Sequence, residues 1–277
     1  NINEDFILNK LKKDQKNITI KRHITPREHQ QIIDLGEINL SIINDRKRIY
    51  PFSKLSSHIV GFVDIDGVGL SGIERGLESR LSNSENIYIT LDINLQQAVR
   101  EELEKTINKF KAESGLAVIL NIKNGQIISS VSLPDFNPND RRTFFEENLI
   151  NRVIQSNFEM GSTFKPITVA MGFDKNLISK DMSFDVTEGI KGINDHVKYE
   201  GDGIYNIEKI VYKSSNIGMA QIASIIGKEN QIEFFNKLGF FDKINFEILE
   251  AANPLGNRNN WGEVETMTIG YGHGFAV

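Results

Sequence analysis

Ser162 and Lys165 stand three residues apart in the stretch Gly161-Ser162-Thr163-Phe164-Lys165-Pro166. On a helix this spacing puts both side chains on one face, where a neutral lysine amine can accept the serine proton. Because the ordinary pKa of lysine is about 10.4, that role requires burial or a neighbouring cation. A proline is tolerated in the first turn of a helix, so Pro166 predicts a helix that begins near Ser162, with its positive dipole end at the serine.

A second polar cluster, Ser214-Ser215-Asn216, precedes the apolar stretch 217–220 and is typical of a helix start. From such a position Ser214 and Asn216 could both face a cleft. Taken singly, neither motif is specific. A capped helix with a surface lysine explains the first, and a plain N-cap explains the second.

Composition excludes several classes of function. Lys and Arg number 32 against 37 Asp and Glu, and the resulting net charge of -5 argues against a general nucleic-acid binder. The absence of cysteine excludes disulfides, thiolate metal sites and cysteine nucleophiles. The five histidines form no ligand-like cluster, and no apolar run approaches the roughly 18 residues of a membrane span.

The first third of the chain contains one well-marked helix. Residues 1–22 are polar and predict a helix or an extended lead-in. Thr25 as N-cap, followed by Pro26, predicts a helix that ends near Leu35. The alternation over 38–42 predicts a strand, and the short polar stretch 82–86 is the best linker candidate.

Later elements follow from apolar periodicity and turn residues. They are a strand at 88–91, a helix of about 18 residues capped by Asp92, a hairpin turning at Asn124-Gly125, a helix from about Ser162, a Gly-rich loop at 189–203, and helical stretches at 207–226 and 230–238. An antiparallel hairpin followed by a cluster of helices predicts an α+β fold.

The combination of motifs is far more specific than its parts. The stretches 161–166, 213–216 (Lys-Ser-Ser-Asn) and 265–274 together resemble the transpeptidase domain of penicillin-binding proteins, the active-site serine enzymes of peptidoglycan cross-linking. Earlier stretches are similar to the non-catalytic pedestal of class B, monofunctional members, and the match is closest to the cell-division members. These stretches are 48–51, 58–64 and 69–74.

The resemblance implies an α+β fold with two domains. A mixed, dimerisation-type pedestal domain would occupy residues 1–85. A penicillin-binding transpeptidase, or serine β-lactamase-like, domain would occupy residues 86–277. Two departures from the family are small: Met160 stands where many members have proline, and the passage 81–88 is shorter than expected.

The third departure is larger. The family's third motif, Lys-Thr/Ser-Gly on a strand beside the site, is absent from the 277 residues. Lys123-Asn124-Gly125 is no substitute, because it forms the hairpin turn and precedes the serine. Both ends of the chain look cut, so we expect a C-terminally incomplete transpeptidase domain, with the third motif following Val277.

The resemblance also assigns roles to four side chains. Ser162 would be the nucleophile that attacks the D-Ala-D-Ala carbonyl, and Lys165 the base that deprotonates it. Ser214 would pass a proton towards the leaving D-alanine. Asn216 would hold the substrate amide and keep Lys165 poised, and the Ser162 N–H would be one oxyanion donor. No metal or cofactor is implied.

Partners and location follow only from the resemblance. The partners would be peptidoglycan stem peptides, β-lactam antibiotics and divisome proteins that include a septal glycosyltransferase, with no nucleic acid. The catalytic domain would lie in the periplasm. A single N-terminal anchor, not present in this chain, would hold the protein in the inner membrane.

Three alternatives remain at this point. An elongation-type class B transpeptidase would have the same chemistry with other partners. A serine β-lactamase or penicillin-sensing receptor shares Ser-x-x-Lys, but the pedestal-like residues 22–81 argue against it. A non-catalytic divisome scaffold, the third alternative, would still support growth after Ser162→Ala.

The missing third motif predicts that residues 1–277 alone acylate poorly or not at all. In the family that motif supplies an oxyanion donor and a cation that lowers the lysine pKa. Labelling of residues 1–277 with a fluorescent penicillin measures this. Strong labelling that disappears in Ser162→Ala would contradict the prediction.

Overall fold

The computed structural model describes residues 4–12, 17–256 and 261–277. The predicted lead-in over 1–22 is therefore covered only in part, because residues 1–3 and 13–16 lie outside the described residues. Within the described part a short helix begins at Glu4, and residues 17–25 form neither a helix nor a paired strand. Helices and small antiparallel sheets alternate along the rest, which confirms the α+β fold class.

Short and long helices alternate with two small sheets along the described chain. The helices are α1 (Glu4–Leu11), α2 (Pro26–Leu35), α3 (Ser57–Val60), α4 (Gly72–Gly76), α5 (Glu78–Ser82), α6 (Ile93–Phe110), α7 (Glu146–Leu149), α8 (Arg152–Gln155), α9 (Lys165–Asp174), α10 (Ile207–Lys213), α11 (Asn216–Lys237) and α12 (Glu263–Ile269). The strands are β1 (Gly115–Leu120), β2 (Ile127–Leu133), β3 (Ser183–Asp185) and β4 (Ile204–Asn206), paired antiparallel as β1–β2 and β3–β4. Three short 3-10 turns lie at Ser53–Ser56, Arg141–Thr143 and Gly161–Phe164.

Helix α2 has the predicted bounds. Thr25 and Glu28 form a capping box at its start, and Gly36 ends it in a left-handed conformation. The strand predicted over 38–42 is wrong: this stretch pairs with no strand in the described part of the chain, and Ile38 is 94% exposed. Alternating apolar and polar residues form a stable strand only where a neighbouring strand pairs with them and one face is buried. In the described part of the chain, residues 38–42 have neither.

The hairpin and its covering helix form as predicted. Asp92 caps α6 by accepting hydrogen bonds from the backbone N–H groups of Asn94 and Leu95. β1 and β2 pair from Gly115 opposite Leu133 to the turn. The strand predicted at 88–91 is wrong, since this extended stretch is not paired as a strand. Its contacts with β2 are the Thr90 hydroxyl, which donates to the Ile127 carbonyl at 2.6 Å, and the backbone N–H of the next residue but one, Asp92, which donates to the Ile128 carbonyl at 2.9 Å.

Gln96 joins the first part of the chain to the hairpin. Its Nε2 donates to the carbonyls of Leu55 (2.9 Å) and Ser130 (2.7 Å). Its Oε1 accepts from the Ser129 hydroxyl (2.8 Å) and the Ser130 N–H (2.9 Å). The residue is only 2% exposed, so the amide is buried with its hydrogen-bonding groups satisfied.

Two more side-chain amides act in the same way. Asn139 accepts from the Tyr50 N–H at 3.0 Å and donates to the Tyr50 carbonyl at 2.8 Å. Asn151 donates to the His58 carbonyl at 3.2 Å. The segment 50–58 is thus held on the later part of the chain through its backbone. The predicted domain division at residue 85 stays a prediction.

The main core lies around α9, α11 and α12. Aromatic rings fill one end of it, where Phe235 packs against Phe164, Trp261 and Phe275. The break predicted after residue 226 is present, because Gly227 has a non-helical backbone (φ 77°, ψ 161°) and divides α11 into two helical parts. The stretch predicted at 207–226 is itself interrupted between α10 and α11 at Ser214, a non-glycine residue with φ 55°. No helix in the described ranges is long and apolar enough to cross a bilayer.

Replacing Gln96 by leucine tests the amide junction. Gln96→Leu leaves buried carbonyl, N–H and hydroxyl groups without partners, so we expect the free energy of unfolding to fall by about 2–4 kcal/mol. Gln97→Leu is the matched control, because Gln97 is exposed on the same helix and should change stability by less than about 0.5 kcal/mol. Urea unfolding followed by circular dichroism measures both. Equal effects of the two variants would contradict the structural role given to Gln96.

Candidate active site

Ser162 lies in the 3-10 turn that leads directly into α9. Pro166 is in the first helical turn, as predicted, and Ser162 is exposed. The turn is fixed from behind, where the Gly161 N–H donates to the Gly272 carbonyl at 3.0 Å. Gly272 has φ 85°, and a Cβ there would collide with the Gly161 backbone, so this close approach requires glycine.

Lys165 is buried beneath the serine turn, with 1% of its surface exposed. Its Nζ donates to the Ser214 carbonyl (2.6 Å), the Ser214 hydroxyl (2.9 Å) and the Asn216 Oδ1 (2.8 Å). These three acceptors match the three N–H groups of an ammonium. Burial disfavours the charged form and lowers the pKa of Lys165 to about 8, while the Asp195 carboxylate acts in the opposite direction.

Ser214 connects the lysine to the exposed serine. Its left-handed backbone turns the chain between α10 and α11 and leaves the hydroxyl facing Ser162. The Ser214 hydroxyl accepts from Lys165 Nζ and donates to the Ser162 Oγ at 3.0 Å. The described hydrogen bonds therefore run from Lys165 to Ser162 through Ser214.

The amino-terminal end of α11 is held by a residue that the sequence analysis missed. Asp195 Oδ1 accepts from the N–H groups of Asn216 (2.5 Å) and Ile217 (3.0 Å). The Ser215 hydroxyl accepts from Gly218 N–H and completes the cap. The only signal for Asp195 is an acid inside the Gly-rich loop 189–203, and sequence spacing cannot pair that loop with a helix start.

The structure thus brings together all four predicted site residues, Ser162, Lys165, Ser214 and Asn216. A buried amine whose pKa lies near neutrality, joined through a hydroxyl to an exposed serine, is suited to activating that serine as a nucleophile. The N–H groups of the first helical turn have no acceptor within the helix and can stabilise an oxyanion. Among the described residues, no group of three or more His, Asp or Glu side chains could hold a metal ion.

Comparison with known families gives one match that covers more than half of the chain. The model of the penicillin binding protein transpeptidase domain matches residues 115–277. These residues include the serine turn, the break at Ser214 and the close approach of Gly272 to Gly161.

Curated relatives extend the similarity over almost the whole chain. The probable peptidoglycan D,D-transpeptidase FtsI of Caulobacter vibrioides is 30% identical over 92% of this chain and 44% of its own length. The peptidoglycan D,D-transpeptidase FtsI of Buchnera aphidicola is 25% identical over 99% of this chain and 53% of its own. The chain therefore spans about half the length of the curated relatives it matches.

Solved structures share the fold. The crystal structure of penicillin binding protein 3 from Mycobacterium tuberculosis superposes with a TM-score of 0.74 and 23% sequence identity. The similarity covers 83% of this chain and 55% of that one.

Proposed function

The chain belongs to the penicillin-binding protein transpeptidase family, and from this we propose that its full-length protein is a serine-type peptidoglycan D,D-transpeptidase. The observation that carries the proposal is the hydrogen-bond chain from buried Lys165 through Ser214 to exposed Ser162. The names of the curated relatives, which are D,D-transpeptidases, support the same activity.

Acylation begins with Lys165 neutral. The Ser162 hydroxyl proton passes to the Ser214 oxygen while the Ser214 proton passes to Lys165 Nζ, which becomes an ammonium. The Ser162 oxygen forms a bond to the carbonyl carbon of the penultimate D-alanine of a stem peptide. The N–H of Ser162 stabilises the oxyanion that develops on that carbonyl.

Collapse of the tetrahedral species breaks the bond to the terminal D-alanine. The ammonium of Lys165 returns a proton through Ser214 to the departing nitrogen, and the penultimate D-alanine remains as an ester on Ser162. An amine of a neighbouring stem peptide then attacks this ester. It gives up a proton along the same route, which forms the cross-link and restores the Ser162 hydroxyl.

Asn216 is proposed to have two tasks. Its Oδ1 accepts from Lys165, which keeps the amine directed at Ser214. Among the described residues its Nδ2 makes only a long contact, 3.4 Å, to the Asn194 carbonyl, so this group can turn to a substrate carbonyl. A β-lactam would enter the same sequence of steps and remain as the acyl-enzyme.

The cellular role is also a proposal. The FtsI names of the relatives favour a septal role in division. The partners that we propose with this role, divisome proteins that include a septal glycosyltransferase, follow from the family resemblance alone. The alternative is elongation, with the same chemistry and other partners. Because the substrate is peptidoglycan, the proposed location is the periplasmic side of the inner membrane, held by an anchor outside this chain.

Labelling of the full-length protein with a fluorescent penicillin tests the nucleophile and the base. Ser162→Ala should abolish labelling. Lys165→Arg, whose guanidinium stays charged, should slow it by about 10²–10⁴-fold. Ser179→Ala, at an exposed serine outside the site, should label as the wild type does. Labelling that persists in Ser162→Ala would contradict the assignment.

Expression of the same variant in a strain depleted of the wild-type protein tests the proposal in the cell. Ser162→Ala should fail to support growth, whereas rescue would favour a non-catalytic scaffold. Cells that lengthen without dividing on depletion support the division role, and loss of rod shape supports elongation.

The pH dependence of acylation follows from the Lys165 pKa. The neutral amine is the reactive form, so in the full-length protein the second-order rate constant should rise with pH along a one-proton curve. Its midpoint should lie at about 8, or lower where the third motif adds a cation beside Lys165. A pKa of 8 leaves about one tenth of the lysine neutral at pH 7. A flat profile, or a midpoint above about 10, would contradict Lys165 as the base.

Asp195→Asn tests, in the same experiment, the direction in which a neighbouring charge shifts the Lys165 pKa. The substitution keeps an oxygen acceptor for the cap but removes the negative charge that raises the Lys165 pKa, so the midpoint should move below that of the wild type. Asp202→Asn, in the same loop, is the control and should leave the midpoint unchanged. Its carboxylate caps Ile204 rather than the site.

A further inference from the structure

Glu250 lies where the first part of the chain meets the transpeptidase part. Its Oε1 accepts from the Gly72 N–H of α4 at 3.2 Å and lies 3.6 Å from the Arg75 guanidinium. A second contact stands beside it, where Gly76 is so close to the Glu247 carbonyl that a Cβ would collide with its oxygen. The loop that begins at Glu247 is therefore held against α4 at two points.

The second oxygen of Glu250 is unusual. Oε2 is buried and has no hydrogen-bond partner in the part of the chain that the structure describes. Burying a carboxylate oxygen without a donor is unfavourable, and an apolar side chain would fill such a position at lower free energy. The contacts of the other oxygen, Oε1, with Gly72 and Arg75 explain why a carboxylate is present here.

The loop after Glu250 leads to the stretch that carries Ser162. The Ala252 N–H donates to the Ile154 carbonyl at 2.7 Å, and Asn157 Nδ2 donates to the Asn253 carbonyl at 2.6 Å. These two contacts tie the loop directly to residues 154–157, on the way to the serine turn.

Ala276 makes a third contact with the stretch that precedes Ser162, through isolated antiparallel bridges. It pairs on one side with Leu255 and on the other with Glu159. The Gly274 N–H also donates to the Glu159 carboxylate at 2.8 Å. The residues just before Ser162 are thus fixed by the loop that Glu250 anchors.

We infer that Glu250 is a positioning residue, through which α4 holds the loop 250–255 and thereby the approach to Ser162. The inference rests on the proposed function, because its effect is on the rate at which Ser162 is acylated. Glu250 touches neither Lys165 nor Ser214, so its substitution should change the placement of the serine without changing the base.

Acylation kinetics of the full-length protein test this inference. At saturating fluorescent penicillin, Glu250→Ala should lower the first-order acylation constant by about tenfold, with the midpoint of the pH profile unchanged. Glu250→Gln should recover to within about twofold of wild type, because its amide oxygen still accepts from Gly72. Glu247→Ala is the matched control: its side chain is exposed, its carbonyl contact stays in place, and its rate should equal that of the wild type.

Hydrogen exchange measures directly whether Glu250 restrains the backbone that precedes Ser162. Backbone amides of 158–161 should exchange several-fold faster in Glu250→Ala than in wild type or Glu247→Ala, while those of β1 and β2 stay unchanged. A wild-type acylation rate in Glu250→Ala, unchanged exchange at 158–161, or a Glu250→Gln variant as slow as Glu250→Ala would each overturn the inference.

Arg75→Gln keeps the test decisive if Glu250→Ala does not fold. In the part of the chain that the structure describes, the ion pair with Glu250 is the one polar contact of this partly exposed side chain. Its removal should therefore slow acylation about twofold and speed exchange at 158–161. Wild-type values for both would overturn the inference. If the wild type itself is not labelled at Ser162, the proposed function fails, whereas the exchange experiment still decides whether Glu250 holds the serine turn.

Discussion

The burial of one amine is the constraint on which the site depends. Lys165 lies inside the protein, where an ammonium is poorly solvated, and the surrounding fold must supply the acceptors that water would otherwise provide. Those acceptors come from Ser214 and Asn216, so α9 and the start of α11 are fixed relative to each other by the needs of a single nitrogen. The same three hydrogen bonds hold the amine next to the hydroxyl that reaches Ser162, while burial lowers its pKa to about 8.

Around this centre, backbone groups rather than apolar side chains make several of the decisive contacts. Gly161 meets Gly272 through a backbone hydrogen bond at a distance that excludes a β-carbon. The side-chain amides of Gln96, Asn139 and Asn151 bind backbone groups of the segment 50–58. Such contacts specify register and orientation in a way that apolar packing does not, because each donor has one acceptor in one direction. Ser162, the proposed nucleophile, lies 3.0 Å from Ser214, its proposed proton relay, and such a pair benefits from this precise positioning.

Local signals in the sequence predicted much of this arrangement. The capping box at Thr25, the Asp92 cap and the Asn124-Gly125 turn each depend on residues close together in the chain, and all three are present. Ser-x-x-Lys and Ser-Ser-Asn could be recognised as a site only through their combination. The pairing of Asp195 with α11 could not be predicted, because it joins residues about twenty positions apart through a loop without periodicity. The predicted strand at 38–42 failed for the related reason that alternation does not say whether a partner strand exists.

The contact between Gly161 and Gly272 has a consequence for how such a site can evolve. A side chain at Gly272 would displace the backbone of the turn that carries Ser162. Single substitutions at Gly272 should therefore not be tolerated. Beside it Met160 is 44% exposed and makes no comparable demand on the backbone. If an antibiotic acylates Ser162, as the proposed function implies, we expect resistance substitutions at exposed positions such as Met160 rather than at Gly272. Gly161 and Gly272, which lie behind the site, should stay unchanged under such selection.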